Sequence, residues 1–599
     1  MTPFRARQPS CLRARLWRRT RRSVPRTPRP RRLRRARASD RTRCPLPQPF
    51  LACSEQPRSR GNPRRMPMLT TQRNRPIEWS LTAATDRANP FMGIEVDAII
   101  TSPSGDELRV PAFYAGDGVW RVRFASPELG QHTYRMECSD PSDSGLHGVE
   151  GSLVVEEYEG ANPLYGHGPL KVSENRRYLE HADGTPFFWL GDTWWMGFAK
   201  RLSWPGGFRT LAEDRLRKGY NVIQIVAGLY PDMAPFDPRQ ENEAGTAWMP
   251  GFERINPAYW DAADVRLDYL VERGLMPAIV GCWGYYLDAA GEEAMKKHWR
   301  YIIARWGAYP VTFCLCGEAT MAFYLSEEWN TPEYAERMRK GWTAIGEYVR
   351  SIDPYGRLKC IHPGGNQAGR DMADPQVMDF EWLQGGHGDR MSFAPTLALV
   401  RRSVEREPRM PVINSETAYE GIINGCWENV QRLFFWSNVL TGTCGHTYGA
   451  NGIWQINCKE HPYGPSPHGR SWGDTPWDEA MNLKGSEQLG LGKRLLERYE
   501  WWKFEPRPDW CEPHSSAEAP EAPMAAGIDG VVRVIYIPQY SGPPKVTKLG
   551  SGKMYRAYYF NPMDGTTIDL QGVDSGPNGE WTPPTPPVMG DWVLVMEAV

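Results

Sequence analysis

Val311-Thr-Phe-Cys-Leu-Cys-Gly-Glu318 and Met410-Pro-Val-Ile-Asn-Ser-Glu416 are two short apolar runs that each end in a carboxylate. Both lie where the chain alternates strand-like and helix-like segments. In a parallel (β/α)8 barrel the strand ends converge on one open face, so glutamates 98 residues apart in sequence can meet across a sugar ring.

Working outward, six further runs read as strands: Phe187 to Gly191, Asn221 to Val226, Leu275 to Val280, Leu358 to His362, Met378 to Leu383 and Thr443 to Tyr448. Their near-continuous apolar character marks parallel strands covered on both faces. Helical periodicity intervenes at Ala262 to Arg273, Glu292 to Trp306, Pro332 to Ile352 and Asn429 to Leu440. Eight strands in this alternation predict an α/β fold, a (β/α)8 TIM barrel over residues 164–504.

The flanks change rhythm. Between residues 74 and 158, apolar and charged residues alternate with period two, as in Trp120, Val122 and Phe124 against Arg121 and Arg123. Turn signals such as Gly116-Asp-Gly118 interrupt them, which predicts a small antiparallel β-sandwich. Short alternating strands return over 506–599, predicting a second β-sandwich.

The formal charge is zero, but residues 1–65 hold 21 Arg, no Lys and only Asp40 and Glu55, leaving a net −19 on the remainder. That balance argues against nucleic-acid binding by the folded part. The Arg- and Pro-rich segment cannot bury enough apolar surface to offset ordering and is predicted to be disordered. It reads as an over-extended start, with Met66 or Met68 as the true first residue, ahead of the alternative of a basic targeting or RNA-binding arm. No signal peptide and no transmembrane stretch is recognised, and the scattered cysteines suit a reducing compartment, so a cytoplasmic, membrane-free protein is expected.

Glycosidic cleavage needs one carboxyl group to protonate the leaving oxygen and a second to attack the anomeric carbon or activate water, and no cofactor. Glu318 and Glu416 are the candidates, with Glu420 a competing nucleophile in the following loop. Polar strand-end residues supply donors and acceptors for sugar hydroxyls: Asp192, Gln224, His362, Gln384, His387, His446, Tyr448 and Asn451. Aromatics crowd the same ends, notably Trp194, Trp195, Trp283 and Trp454, and offer faces for sugar C–H groups. A metal held by these histidines and Asp192 is set aside, because no His-x-His pair or close ligand spacing is present. The alternative from another class is a non-catalytic carbohydrate-binding protein, in which the two glutamates lie apart or blocked.

The motifs Phe187-Phe-Trp-Leu-Gly-Asp-Thr-Trp194, Gly219-Tyr-Asn-Val-Ile-Gln224, His362-Pro-Gly-Gly365, Gln384-Gly-Gly-His387 and Thr447-Tyr-Gly-Ala-Asn-Gly-Ile-Trp454 resemble the apiosidase-like glycoside hydrolases. The flanks resemble that family's usual companions, an immunoglobulin-like N-terminal domain and a C-terminal β-domain labelled collagen-binding. The resemblance implies cleavage of glycosides in plant pectin side chains by a strand-four acid and a strand-seven glutamate, here Glu318 and Glu416. The family commonly has Gly-Gly-Asp at the end of strand four, whereas this chain has Cys316-Gly-Glu318, one methylene longer.

Overall fold

Apolar runs bounded by glycine and capping residues place the secondary structure. The computed structural model describes residues 68–329 and 331–599; the arginine-rich extension lies outside them. Eight parallel strands occupy the middle of the chain: β1 (Trp189–Trp194), β2 (Val222–Val226), β3 (Met276–Val280), β4 (Thr312–Cys314), β5 (Lys359–Cys360), β6 (Glu381–Gln384), β7 (Val412–Glu416) and β8 (Gly445–Tyr448). Every residue in them is buried, as cover on both faces requires.

The intervening helices are α1 (Gly206–Lys218), α2 (Pro257–Glu272), α3 (Glu292–Trp306), α4 (Pro332–Ile352), α5 (Phe393–Glu405) and α6 (Glu428–Thr441), with α7 (Lys484–Leu496) after β8. Helix α4 shows the local logic. The Thr331 side chain accepts from the Tyr334 N–H, Pro332 opens the first turn, and Arg350 sits in the last turn against the helix dipole. Between β5 and β6 the chain forms only short 3-10 turns and a two-residue strand, Gln367–Ala368, antiparallel to β6.

The sheet has nine strands in the order β5-β4-β3-β2-β1-β8-β7-β6, with Gln367–Ala368 last. It is curled, and the chain just before β6 reaches β5. Asp379, just before β6, donates its N–H to the Lys359 carbonyl at 2.8 Å and accepts the Lys359 N–H on its carboxylate at 2.8 Å.

Before the curled sheet, a five-stranded and a three-stranded sheet share a core of Trp79, Val96, Val122, Phe124, Met136 and Leu153. After it, a six-stranded sheet encloses Trp510, Ile535, Tyr555, Leu594 and Met596. Both flanking assemblies are tied to the central sheet by buried charges. Arg123, in the strand Val119–Phe124, donates to Asp264 of α2 at 2.6 Å, and Arg305 of α3 donates to the same oxygen at 3.0 Å. On the other side Arg432 of α6 forks onto Asp591 at 2.8 and 2.7 Å.

Removing Asp264 would leave two buried cations without their shared buried anion, Arg123 keeping only the part-exposed Glu78 and Arg305 only the part-exposed Asp261. Asp264→Ala is therefore expected to destabilise the full chain by about 2–3 kcal/mol, less than the cost of a wholly uncompensated buried charge because Glu78 and Asp261 remain. Urea unfolding measures this, and a change below about 1 kcal/mol would show that the junction is solvated.

Among the described residues no helix is long and apolar enough to cross a membrane. The described cysteines are unpaired, and Cys282, Cys314, Cys316 and Cys360 are buried in the core as small apolar groups.

Candidate active site

Glu416 is the last residue of β7, and its side chain is held from three directions. The Nε2–H of His362 donates to Oε2 at 3.0 Å, while Oε1 accepts from His387 Nε2 at 3.0 Å and from Gln384 Nε2 at 3.1 Å. A carboxylate accepts only, so its partners present their N–H groups to it. Burial opposes its charge, but the His362 and His387 hydrogen bonds outweigh burial and hold the carboxyl down at about 2.

Glu318 is not the strand-terminal residue expected from the sequence. Strand β4 ends at Cys314, and Glu318 lies four residues on, at φ +43°. Its turn is clamped from both sides: Gly317 donates its N–H to the Cys282 carbonyl at 2.9 Å, and Ala319 donates to the His362 carbonyl at 3.2 Å. A left-handed non-glycine residue is strained, and such strain concentrates where a side chain must be aimed. The half-buried Glu318 carboxyl accepts from Trp283 Nε1 at 3.1 Å and from Gln384 Nε2 at 3.3 Å. Burial, and next the charge of Glu416, push its pKa above the usual carboxylate value.

One amide nitrogen, Gln384 Nε2, thus touches an oxygen of each carboxyl group. Those two oxygens can be no farther apart than the two bonds laid end to end, about 6.4 Å. Two adjacent carboxyls with pKa values pushed in opposite directions form the acid-and-anion arrangement that bond cleavage requires.

Both carboxyls open into a cavity of about 250 Å³. Tyr419 forms one wall, stacked on His387 at 4.9 Å and on Trp454 at 6.0 Å, with its hydroxyl accepting from Trp195 Nε1 at 2.9 Å. Tyr324, stacked on Trp329 at 5.6 Å, and Trp472 form the outer wall. Ring faces with a few polar groups between them suit a hydroxyl-rich ligand. A larger hollow of about 440 Å³, lined by Arg401, Val404, Leu440 and Pro506 among others, lies by the N-terminal end of β7 and holds neither carboxyl.

Of the residues expected at the site, Trp195, Trp283, His387 and Trp454 line this cavity, and His362 and Gln384 hold its carboxyls from beneath. Gln224 sits one layer lower, donating to the Ser415 carbonyl at 3.0 Å and accepting from Thr447 at 2.8 Å. Asp192, Trp194, His446 and Tyr448 face away, into the helix layer. Asp192 accepts from Arg215 of α1 at 2.6 Å and from Trp194 Nε1 at 2.7 Å; His446 contacts Asn438 of α6; and the Tyr448 hydroxyl donates to Glu420 at 2.5 Å.

Asn451, in the loop after β8, accepts from Gln455 at 2.9 Å and is not among the residues lining the cavity. Glu420, the competing nucleophile, is fully buried against Tyr448 and the Gly485 N–H, with its carboxyl pushed by burial up to about 7. The sequence reading missed Asp232, Tyr324, Tyr419 and Trp472, all of which line the cavity from loops. Only Tyr419 carried a signal, as an aromatic three residues beyond a strand-terminal glutamate.

A paired acid and anion above a ring-lined cavity is the equipment of a glycosidase, and this chain is one. The family described as "Apiosidase-like, catalytic domain" matches residues 173–503, more than half of the chain, and the chain belongs to it. A domain of unknown function, DUF5060, matches residues 70–139. No curated protein matches the chain.

Among solved structures, one described as a glycoside hydrolase is 23% identical with a TM-score of 0.61, covering 73% of this chain and 98% of that one. A glycoside hydrolase family 5 structure from Bacteroides vulgatus ATCC 8482 is 23% identical with a TM-score of 0.60, covering 73% and 95%. Another from the same organism, provisionally assigned as a glycoside hydrolase, is 17% identical with a TM-score of 0.64 and covers 89% and 100%. These likenesses concern the fold.

Proposed function

We propose that this glycosidase is a retaining O-glycosyl hydrolase of plant-type oligo- or polysaccharides. Its curled sheet acts as a (β/α)8 barrel, braced by an immunoglobulin-like module over 74–158 and a β-sandwich over 506–599. The observation that supports retention is the shared Gln384 nitrogen: a ceiling of about 6.4 Å between bridged oxygens falls short of the roughly 6.5–9.5 Å that inverting enzymes keep open for water.

In the first step Glu416 attacks the anomeric carbon while Glu318 gives its proton to the departing glycosidic oxygen. The C–O bond breaks, the leaving group departs as a neutral alcohol, and the sugar is held as an ester of Glu416. Glu318, now a carboxylate, takes a proton from water, whose oxygen attacks the same carbon and releases Glu416. The nearness of the two carboxyls and their opening into the cavity favour this reading over the binding-only alternative.

Proton NMR of the first anomer released from an aryl glycoside or a pectin-derived oligosaccharide tests this reading. The same anomer as in the substrate is expected, and the opposite anomer would reassign Glu416 as a base acting on water. A second expectation concerns His387. Glu416 must be ionised to attack, so activity falls as pH drops through its pKa of about 2. Removing one of its donors raises that value. His387→Ala should therefore move the acid limb of kcat/KM upward by about one pH unit or more, and an unmoved limb would deny His387 this role.

A further inference from the structure

Asp232 is a buried cavity carboxylate with no ion-pair partner among the described residues. It is 2% exposed, lines the same cavity as Glu318 and Glu416, and among the described residues neither of its carboxylate oxygens has a hydrogen bond of good geometry, although the hydroxyls of Tyr324 and Ser466 stand beside it. An isolated buried carboxylate is among the costliest groups a fold can hold, and the usual remedy is a paired cation. The neighbouring Arg239 does not provide one, since it is committed to Asp237 through Nε at 2.9 Å and Nη2 at 2.7 Å.

The backbone around Asp232 is nonetheless fixed with care. Asp232 sits at φ +62°, in the left-handed region that aspartate tolerates better than most residues. A single phenol, Tyr285, donates to the carbonyls on either side of it, Tyr230 at 3.0 Å and Met233 at 2.8 Å. Tyr463 donates to the Pro231 carbonyl at 3.3 Å, and Gln240 donates to the Ala234 carbonyl at 2.8 Å. Three side chains therefore pin a turn whose central residue is left unsatisfied. A fold that rigidly presents an unpaired acceptor to a cavity is completed by what enters the cavity.

The incoming group must donate hydrogen bonds. Two carboxylate oxygens match two adjacent hydroxyls of a sugar, whose C–H faces are accommodated by the nearby rings of Tyr324, Trp329 and Trp472. A uronic acid carboxylate set directly against Asp232 would be repelled, whereas the basic Arg470 and His468 line another part of the cavity wall. Building on the glycosidase reading above, we infer that Asp232 is the specificity-determining anchor of this site: its carboxylate accepts two neighbouring hydroxyls of a neutral terminal sugar ring. Burial, the dominant influence, raises the Asp232 pKa, and the neighbouring Ser466 and Tyr324 hydroxyls oppose it without offsetting it.

The test is Asp232→Asn and Asp232→Leu in the full chain, read by thermal midpoint and by kcat and KM on the best substrate from a panel of 4-nitrophenyl glycosides of neutral sugars. The inference expects the midpoint to stay or rise, because an unpaired buried charge has been removed, while kcat/KM falls by about 100-fold or more. Deoxy analogues lacking one of the two hydroxyls should be poor substrates for the parent and no poorer than the full sugar for the variants. A variant with parental kcat/KM overturns the inference, as does a lowered midpoint with catalysis per folded molecule intact, the mark of a purely structural residue.

If the unmodified protein hydrolyses nothing, the glycosidase reading itself fails, and sugar-induced thermal shifts then decide the role of Asp232. A shift by neutral monosaccharides that is lost in Asp232→Asn supports the anchor. No shift in the parent, an equal shift in the variant, or a larger shift with glucosamine than with glucose overturns it.

Discussion

Glu416→Ala is expected to lower kcat on the order of 10⁴-fold or more, the scale of removing a group that forms a covalent bond to substrate. The residue stands at the end of a strand, where three N–H donors hold its charge in place at about 3 Å. None of them can replace it, because a histidine or an amide so placed gives no stable sugar ester. Azide added to the Ala variant should enter the vacated space and form a glycosyl azide of the opposite anomeric configuration from an activated aryl glycoside. Wild-type turnover by the Ala variant without added anion would sink the assignment. Glu416→Gln, nearly identical in shape, is the control, and it should be inactive with its thermal midpoint preserved.

Glu318→Gln is expected to cost about 10²–10⁴-fold in kcat/KM on substrates with poor leaving groups, the usual contribution of a positioned general acid. A dinitrophenyl glycoside departs without a proton and should lose far less in its first step. The pH dependence follows from the direction of the shifts. Glu318 must be protonated to act, and its pKa is raised by burial and by Glu416, so activity falls as pH climbs through that raised value. Glu416 must be ionised, and with its pKa at about 2 it stays so from mildly acidic to alkaline pH. The parent should show an alkaline limb owned by Glu318, and the Gln variant should lack it. A limb that persists unchanged would assign the acid elsewhere.

The sheet was legible because parallel strands covered on both faces leave continuous apolar runs, and each of the eight expected runs contains or overlaps an observed strand. The same continuity concealed which side of each strand faces inward. In β1, Trp189 and Gly191 meet Thr447 inside the curl, whereas Asp192 and Trp194 turn to α1; polar character at a strand end did not distinguish the two parities. His446 and Tyr448 were misplaced for the same reason.

The glutamate pair could be read because a carboxylate closing an apolar run is energetically anomalous. Its supports, His362, Gln384 and His387, follow strand-end positions. Asp232, Tyr324 and Trp472 come from βα loops that have no period, and there sequence pattern carries no positional information. The absent helix between β5 and β6 belongs with these, since its place is taken by turns and a strand too short to leave a pattern.

The Gln384 amide has a consequence for how the two acids divide their labour. Two carboxyl groups in direct contact settle into a shared proton and lose their separate identities, as in dyads that titrate jointly. Here the group between them is an –NH₂, which gives hydrogen bonds and takes none, so it links the pair while giving the proton no bridge to cross. Donor and attacker are thereby kept from exchanging parts, and each round of catalysis begins with the proton on the same side.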